Sequence, residues 1–297
     1  MRRFLWLASY PKSGNTWLRA FLNNLLADAR EPVDINALDK TPLASTRELF
    51  DIWVGLESAN LTPDQVDALR PEVYQRMADE SRGTLFFKIH DALTPVNTGP
   101  LLVPPAATRG ALYLIRNPLD VAVSFAHHGG WDQDTTIGHM NDPGFSFAGV
   151  RGQLSLQLRQ RLSTWSGHVR SWTEAPPFPV EVLRYEDMKR DPQAALGRAA
   201  RFAGLEASEE QIARAVRFSE FEVLREQEAA HGFAERSPRA KSFFRRGEAG
   251  AWKGRLSPEQ IARLVGQHGE VMARFGYETC LQRLCDGEPA PVQGSRA

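Results

Sequence analysis

The most informative segment of the chain places a lysine, short hydroxyl side chains and a glycine between an apolar run and a helical pattern. In order, it reads Tyr10, Pro11, Lys12, Ser13, Gly14, Asn15, Thr16 and Trp17. Because residues 4–8 read as a buried strand and residues 18–25 carry apolar side chains at helical spacing, a tight turn that opens a helix is predicted. Backbone N–H groups, the helix dipole and the Lys12 ammonium would suit this turn to a phosphate. The lysine precedes the glycine, unlike in a Walker A loop, and a turn that only caps the helix is the alternative.

A second candidate site begins at the end of the predicted strand 111–115. Arg116 follows that strand directly, at the edge where ligands of open α/β sheets bind, and Ser124 lies about two helical turns into the predicted helix. A guanidinium can bind phosphate through two parallel hydrogen bonds, and a serine hydroxyl adds a further donor. The pair therefore suits a second phosphate group. The alternative is a surface arginine that pairs with Asp120.

A third candidate site ends another predicted strand, residues 84–89. Lys88 and His90 are predicted to share one face, because the side chains of a strand alternate with period two. A cation beside an imidazole suits transfer chemistry, since histidine is the side chain best tuned to accept a proton near neutral pH. A structural histidine with satisfied hydrogen bonds is the alternative.

The last candidate site is a basic segment between residues 235 and 255, in which seven basic residues oppose only Glu235 and Glu248. The basic residues are Arg236, Arg239, Lys241, Arg245, Arg246, Lys253 and Arg255. Gly247 and Gly250 would let the backbone approach a ligand closely. A solvated basic loop and a contact with an acidic partner are the alternatives.

The composition limits the class of protein. The chain has 297 residues, of which 42% are hydrophobic and 24% charged, as is typical of a folded globular protein. Its 36 Lys and Arg residues balance its 36 Asp and Glu residues, which argues against nucleic acid as a partner. No apolar run reaches the roughly 20 residues of a membrane-spanning helix. The only cysteines, Cys280 and Cys285, form neither a disulfide framework nor a zinc-site pattern, and we predict a cytoplasmic protein.

The elements that must position these residues alternate between strands and helices, which predicts an α/β fold with a parallel sheet in a single domain. The predicted strands are 4–8, 84–89, 111–115 and 180–183, and the predicted helices include 118–127, 154–172, 192–203 and 209–216. The domain is assigned to residues 1–285, and a disordered tail to residues 286–297. Residues 28–83 and 127–153 show little periodicity and are expected to form a lid or to be disordered.

Taken in order, these segments resemble those of the sulfotransferases that use 3′-phosphoadenosine-5′-phosphosulfate (PAPS). Residues 10–17 are similar to the 5′-phosphosulfate loop of that family, and residues 116–124 to its 3′-phosphate element. Residues 88–90 resemble its Lys-x-His strand, and residues 245–253 resemble its C-terminal closing segment. The resemblance extends over residues 4–277. It implies a P-loop-like three-layer α/β/α fold with a central parallel sheet.

Two weaker matches lie between these segments. Residues 185–192 resemble the family segment whose tyrosine reaches adenine, and residues 219–221 resemble an element near the base. The resemblance implies that the nucleotide-binding residues are Lys12, Ser13, Gly14, Asn15, Thr16, Trp17, Arg116, Ser124, Tyr185, Ser219, Phe221, Arg245, Arg246 and Gly247. Of these, Trp17, Tyr185 and Phe221 would flank adenine. PAPS would be the co-substrate, and no metal would be needed.

The resemblance also implies an in-line transfer mechanism. Its catalytic residues would be Lys12, Lys88, His90 and Ser124. His90 would act as general base, Lys12 would contact the bridging oxygen of the leaving phosphate, and Lys88 would support the sulfuryl and 5′-phosphate oxygens. The two residues of the second candidate site would bind the 3′-phosphate together with Arg245.

The chain departs from the family pattern at several positions. Asn15 replaces a common threonine and Ala251 replaces an aspartate, while the Leu-Pro pair that often follows the histidine is Asp91-Ala92 here. Of the vertebrate dimer motif only Lys253 agrees, and Ser257 is similar to its threonine, so a homodimer is left open and its interface cannot be assigned from the sequence. The start of the chain is more similar to bacterial members that act on natural products or glycoconjugates. The acceptor is therefore expected to be a hydroxyl or amine of a small molecule or a glycoconjugate.

Two other functions are left open by the residues. One is a nucleotide-dependent kinase of the same P-loop-like fold, although Lys12 precedes Gly14 and no Mg²⁺-binding carboxylate is evident. The other is a non-catalytic PAPS-binding module, although Lys12 and His90 are both present. Residues 127–139 contain histidines and aspartates, but their spacing fits no standard metal site. Aromatic residues of the irregular segments would either line an acceptor pocket or pack against the core; these are Trp53, Trp131, Phe145 and Phe147.

Overall fold

A parallel sheet forms the centre of the protein in a computed structural model that describes residues 2–97, 99–148 and 155–277. In chain order, the strands are β1 (Phe4–Ser9), β2 (Leu85–Ile89), β3 (Thr108–Ile115), β4 (Ser146–Phe147), β5 (Gln160–Arg161) and β6 (Val180–Arg184). The sheet order is β2-β1-β3-β6, and every neighbouring pair is parallel. The short strands β4 and β5 form a separate antiparallel pair. The prediction of a central parallel sheet is confirmed.

Helices cover both faces of this sheet. In chain order, they are α1 (Asn15–Leu26), α2 (Arg47–Val54), α3 (Pro63–Glu80), α4 (Pro118–Gly129), α5 (Gln133–Asn141), α6 (Trp165–Thr173), α7 (Tyr185–Arg190), α8 (Pro192–Phe202), α9 (Glu209–Phe218), α10 (Phe221–His231) and α11 (Pro258–Arg274). Trp6 of β1 enters a core with α3, α4, α6 and α11, whereas Leu5 and Leu7 enter a second core with α1, α8 and α9. Because both faces of β1 are buried, its residues 4–8 are all apolar. The three-layer α/β/α arrangement in a single domain is confirmed.

Two segments that were expected to be irregular contain helices. Residues 28–83 include α2 and α3, and residues 127–153 include α5. The expectation of irregular or disordered structure is wrong for these helices, whereas a lid stays a prediction. The buried face of α3 contains Asp67 and Arg70, which pair with charged partners, and this weakens the apolar periodicity that identifies a helix in sequence.

The predicted helix 154–172 is wrong over its first part. Residues 155–164 contain β5, and the backbone of this stretch bonds to the chain around residue 45, with Leu158 N donating to Ser45 O at 2.7 Å. The helix α6 begins only at Trp165, because the Thr164 side chain accepts a hydrogen bond from Gly167 N and caps it.

The carboxyl ends of the four parallel strands bring the candidate residues to one edge. Tyr10 follows β1, His90 follows β2, Arg116 follows β3 and Tyr185 follows β6. Ligands of parallel α/β sheets bind at this edge. In the described ranges no helix has both the length and the apolar character needed to cross a bilayer. The predicted domain end at residue 285 and the tail 286–297 lie outside the described residues.

Candidate active site

A cavity of about 600 Å³ lies at the carboxyl edge of the sheet. Its walls come from the turn after β1, the ends of β2 and β3, the helix α4, and the segment 235–251. The predicted residues that line it are Lys12, Gly14, Asn15, Thr16, Trp17, Lys88, His90, Arg116, Ser124, Tyr185, Phe221, Arg245, Arg246 and Gly247. The structure therefore brings together residues that are widely separated in sequence.

Two predicted residues do not line the cavity. Ser13 is fully buried, and its hydroxyl has no hydrogen-bond partner among the described residues. Ser219 is also fully buried, and its hydroxyl donates to Val216 O at 3.0 Å. The structure does not place the Ser219 side chain at the cavity wall, because it closes the end of α9 instead.

The turn between β1 and α1 forms the floor of the cavity. Lys12 has φ +68° and Gly14 has φ +101°, so two residues of the turn have positive φ before the helix begins. A Cβ atom at Gly14 would lie 2.8 Å from Tyr185 Cδ2, so glycine is required both for the backbone conformation and for the close approach. The first N–H groups of α1 face this turn, which gives the floor a positive potential.

Asn15 supports this turn. Its side-chain amide donates to Leu7 O at 2.8 Å and to Ser9 Oγ at 3.1 Å, while its Oδ1 atom has no hydrogen-bond partner among the described residues. The residue therefore ties the start of α1 to β1. This explains how an amide can occupy a position where a hydroxyl is common in the resembling family.

The Lys12 ammonium is buried near several other cations. It lies 3.9 Å from the centre of the Phe243 ring. Burial, together with the charges of Lys88 and Arg116, lowers the pKa of Lys12 to about 7. The negative charge of a bound anion would offset the repulsion from these cations and raise the pKa of Lys12. The site is thus electrostatically prepared for an anionic ligand.

His90 faces the same cavity as a neutral imidazole. Its Nδ1 lies 2.7 Å from Ser9 O, and because a carbonyl oxygen can only accept, Nδ1 carries the proton and donates. Burial and the charge of Lys88 hold the pKa of His90 well below its ordinary value. The imidazole is therefore neutral near pH 7, and the lone pair of Nε2 can accept a proton.

Buried groups fix the backbone around this histidine. His168 Nε2 donates to His90 O at 3.0 Å, and Tyr113 Oη lies 2.9 Å from His168 Nδ1. Asp91, which departs from the family pattern, receives two hydrogen bonds from the Arg70 guanidinium at 3.1 and 2.8 Å. Sequence reasoning did not identify His168 or Arg70, because neither belongs to a motif and both act across long sequence separations.

Arg116 is buried and spans the cavity. Its guanidinium lies 4.2 Å from the centre of the Tyr185 ring, and its two terminal nitrogens donate to Lys12 O at 3.1 Å and Glu248 O at 2.7 Å. The alternative of a surface arginine paired with Asp120 is wrong. Asp120 instead accepts hydrogen bonds from the backbone of residues 250 and 252, at 2.7 and 3.0 Å.

Three aromatic rings form a slot beside this arginine. The rings of Trp17 and Tyr185 meet edge to face, with centroids 6.0 Å apart, and Phe221 lines the cavity near Gly247. Gly247 has φ +61°, and a Cβ there would lie 2.4 Å from Phe221 Cδ2. The slot has the flat apolar surfaces and neighbouring cations that a purine nucleotide needs.

The segment that was considered for a metal has other contacts. His127 Nε2 lies 2.8 Å from Ser242 O, Asp132 caps α5, and the His139 ring stacks on Phe145 with centroids 4.3 Å apart. Among the residues that the structure describes, no group of three or more His, Cys, Asp or Glu side chains could hold a metal ion. These side chains instead pack or cap the α4–α5 region.

The four aromatic residues of the irregular segments, Trp53, Trp131, Phe145 and Phe147, all pack against the core. Trp131 and Phe147 also line the cavity. The Phe125 ring contacts Trp131, Phe145 and Phe147 and links them to the sheet. Packing against the core thus applies to all four residues, and an acceptor pocket at Trp131 and Phe147 stays a prediction.

Sequence reasoning also missed a carboxylate inside the cavity. Glu235 lies 2.8 Å from Lys88 Nζ and 2.5 Å from Arg19 NH1. The sequence position of Glu235, at the start of the basic segment, could have indicated an ion pair, because an acidic residue beside many basic ones is well placed to pair with them. No spacing rule indicated which cation it would contact.

Comparison with known proteins agrees with this geometry. The model of the sulfotransferase domain family matches residues 2–276. Cytosolic sulfotransferase 17 of Arabidopsis thaliana is 25% identical over 284 residues, which cover 91% of this chain and 75% of that protein. Luciferin sulfotransferase of Photinus pyralis is 26% identical over 274 residues, which cover 86% of this chain and 68% of that protein.

A solved structure has the same fold. Mouse sulfotransferase SULT7A1 complexed with PAP superimposes with a TM-score of 0.57 at 19% identity, and the match covers 94% of this chain and 88% of that one. The family match extends over nearly the whole chain and includes every strand and helix described above. The chain belongs to the sulfotransferase domain family.

Proposed function

We propose that this sulfotransferase moves the sulfuryl group of PAPS to a hydroxyl or amine of a small-molecule acceptor and releases 3′-phosphoadenosine-5′-phosphate (PAP). One observation carries the proposal: Lys12, Arg116 and Arg245 line the same cavity as the neutral imidazole of His90. A doubly phosphorylated nucleotide needs several cations, and an acceptor hydroxyl needs a base. The cavity supplies both.

The donor would be held by the β1–α1 turn and by the basic segment. The backbone N–H groups after Gly14 and the Thr16 hydroxyl would bind the 5′-phosphate. Arg116, Ser124 and Arg245 would bind the 3′-phosphate, which distinguishes PAPS from ATP. The unpartnered Arg116 Nε atom fits this assignment, because buried donors normally have partners and a nucleotide phosphate would supply one.

The transfer would proceed with attacking and leaving oxygens in line. His90 Nε2 would take the acceptor proton as the new O–S bond forms. The S–O bond to the phosphate breaks, and its electron pair stays on the phosphate oxygen, where Lys12 would neutralise the charge. Lys88 would bind the sulfuryl oxygens. This chemistry requires no metal ion, because the lysines and backbone donors supply the positive charge.

The acceptor would lie against Trp131 and Phe147, which line the same cavity as His90. The name of the Photinus pyralis relative, luciferin sulfotransferase, supports a small-molecule acceptor. A glycoconjugate is the alternative acceptor. For the location of the protein, the relatives whose names contain the word cytosolic support the cytoplasm. Incubation of the protein with labelled PAPS and a metabolite extract, followed by mass spectrometry for a gain of SO₃, would identify the acceptor.

The first prediction compares nucleotides by thermal shift. PAP is expected to raise Tm clearly, and ATP with Mg²⁺ to raise it far less, because the cations around Arg116 match a 3′-phosphate that ATP lacks. An equal or larger shift with ATP would favour the kinase alternative. Binding of PAP without sulfuryl transfer to any acceptor would favour the non-catalytic module.

The second prediction concerns Gly247→Ala. The added Cβ would displace the Phe221 ring, so PAP is expected to bind about 10-fold or more weakly, in line with the 1–3 kcal/mol of a base–aromatic contact. Gly250→Ala is the matched control, because Gly250 also has positive φ but a Cβ there would meet nothing within 4 Å. Calorimetry that gave equal losses for both variants would attribute the effect to backbone strain and not to the ring.

A further inference from the structure

A carboxylate in the cationic cavity contacts the lysine that is expected to bind the sulfuryl group. Glu235 Oε2 lies 2.8 Å from Lys88 Nζ, and Glu235 Oε1 lies 2.5 Å from Arg19 NH1. The side chains of Glu235, Lys88 and Arg19 are only 19%, 11% and 2% exposed, so water screens these pairs weakly. A negative charge opposes the binding of an anionic donor. The presence of Glu235 in this site therefore needs an explanation by a specific role.

Glu235 is held from two sides. It belongs to the segment after α10, where the neighbouring Ala234 N donates to Asn36 Oδ1 at 2.7 Å. Arg19, on α1, is fixed separately by a hydrogen bond from its Nε atom to Thr41 O at 2.9 Å. The carboxylate therefore joins the helix after the phosphate-binding turn to the catalytic strand β2.

Among the titratable groups around Lys88, Glu235 is the only acidic one in the part of the chain that the structure describes. The titratable and charged groups that face it are Arg19, Glu235, Lys12, His90 and His128. Burial lowers the pKa of Lys88 and Arg19 lowers it further, while Glu235 raises it. Burial alone would raise the pKa of Glu235, yet Lys88 and Arg19 lower it to about 2. Glu235 is thus charged at every pH at which the enzyme would act.

We propose that Glu235 is a positioning residue that keeps the Lys88 ammonium charged and directed at the sulfuryl group, with Arg19 as its fixed anchor. An ammonium has three N–H donors, so the bond to Glu235 leaves two for oxygens of the donor. Without the carboxylate, Lys88 and Arg19 would be two neighbouring cations, and Lys88 would lose its proton more easily. The inference rests on the proposed function, because that function gives Lys88 its role.

The test compares Glu235→Gln with the wild-type protein in transfer from labelled PAPS to β-naphthol, a phenol used as probe acceptor. The profile is measured as kcat at saturating PAPS, where the bound anion raises the pKa of Lys12. Because the pKa of Lys88 falls when Glu235 loses its charge, the alkaline limb of this kcat profile is expected to move to lower pH by about one unit. Transfer near the alkaline end of the profile should fall about tenfold. PAP affinity, measured by calorimetry, should stay within about threefold, because PAP has no sulfuryl group.

A second variant separates the positioning role of Glu235 from its contribution to the stability of the fold. Glu235→Gln leaves the Arg19 guanidinium buried without a counter-charge and lowers Tm. The double variant Arg19→Met/Glu235→Gln removes both charges and is expected to recover Tm relative to the single variant. Its alkaline limb should lie between those of the wild-type protein and the single variant, because Arg19 itself lowers the pKa of Lys88. Glu226→Gln, at an exposed position of α10 outside the cavity, removes the same charge and should change neither property.

The outcomes separate the two proposals. If the single variant Glu235→Gln has the pH profile of the wild-type protein, Glu235 is only structural and this inference is wrong. If the wild-type protein neither binds PAP nor transfers sulfate, the proposed function itself is wrong. Wild-type transfer together with a displaced profile in both Glu235 variants supports both.

Discussion

Replacing His90 by alanine is expected to lower kcat for sulfuryl transfer by about 10²–10⁴-fold, the usual contribution of a general base. The expectation follows from geometry. The hydrogen bond from Nδ1 to Ser9 O fixes the tautomer, so Nε2 is the only atom of the ring that can accept the acceptor proton. PAP affinity is expected to stay within a few-fold, because the imidazole does not contribute charge at neutral pH.

His90→Asn refines this test. An asparagine amide can still donate to Ser9 O but has no basic nitrogen, so it should be as inactive as the alanine variant while Tm stays closer to wild type. His231→Ala, at an exposed position outside the cavity, is the matched control and should retain full activity. Turnover of His90→Ala within about threefold of wild type would remove the role of general base.

Replacing Arg116 by alanine is expected to weaken PAP binding by about 10²-fold or more, since a bidentate charge-assisted contact is lost. Binding of adenosine-5′-phosphosulfate, which has no 3′-phosphate, should weaken much less. Arg116 also holds the carbonyls of Lys12 and Glu248 and covers the Tyr185 ring, so part of the loss will be common to both ligands. The ratio of the two losses isolates the 3′-phosphate contact.

Arg116→Lys serves as the matched variant. A lysine keeps the charge but cannot reach both carbonyl oxygens with a planar fork, so an intermediate PAP affinity is expected. Calorimetry showing equal losses for PAP and adenosine-5′-phosphosulfate in Arg116→Ala would contradict the assignment. Arg116 would then be a structural residue that closes the cavity.

The sequence was most informative where a residue with a catalytic or binding side chain lies just after a strand. Lys12, His90 and Arg116 could be placed together because the carboxyl ends of parallel strands meet at one edge, and periodicity alone locates those ends. Ser219 was assigned by resemblance alone, and the structure buries it away from the cavity wall. Residue type at a matching position does not determine where a side chain points.

Ion pairs between residues far apart in the chain could not be predicted from the sequence. Lys88 and Glu235 are 147 positions apart, and no local pattern indicates that two such residues meet. The helix α3 was missed for a related reason. Its buried face uses charged residues whose partners lie elsewhere in the chain, so the apolar spacing that reveals most helices is interrupted.

The Arg70–Asp91 pair has a consequence for protein engineering. The Arg70 side chain is fully buried, and leaving it without its carboxylate would cost about 3–5 kcal/mol. Arg159 forms an ion pair at 2.6 Å with Asp67, which lies on α3 like Arg70. Grafting the region around α3 from a relative, in order to alter which acceptors are sulfated, would therefore require the recipient residues at 91 and 159 to be exchanged with it. The transplantable unit is defined by buried ion pairs and not by the ends of a loop.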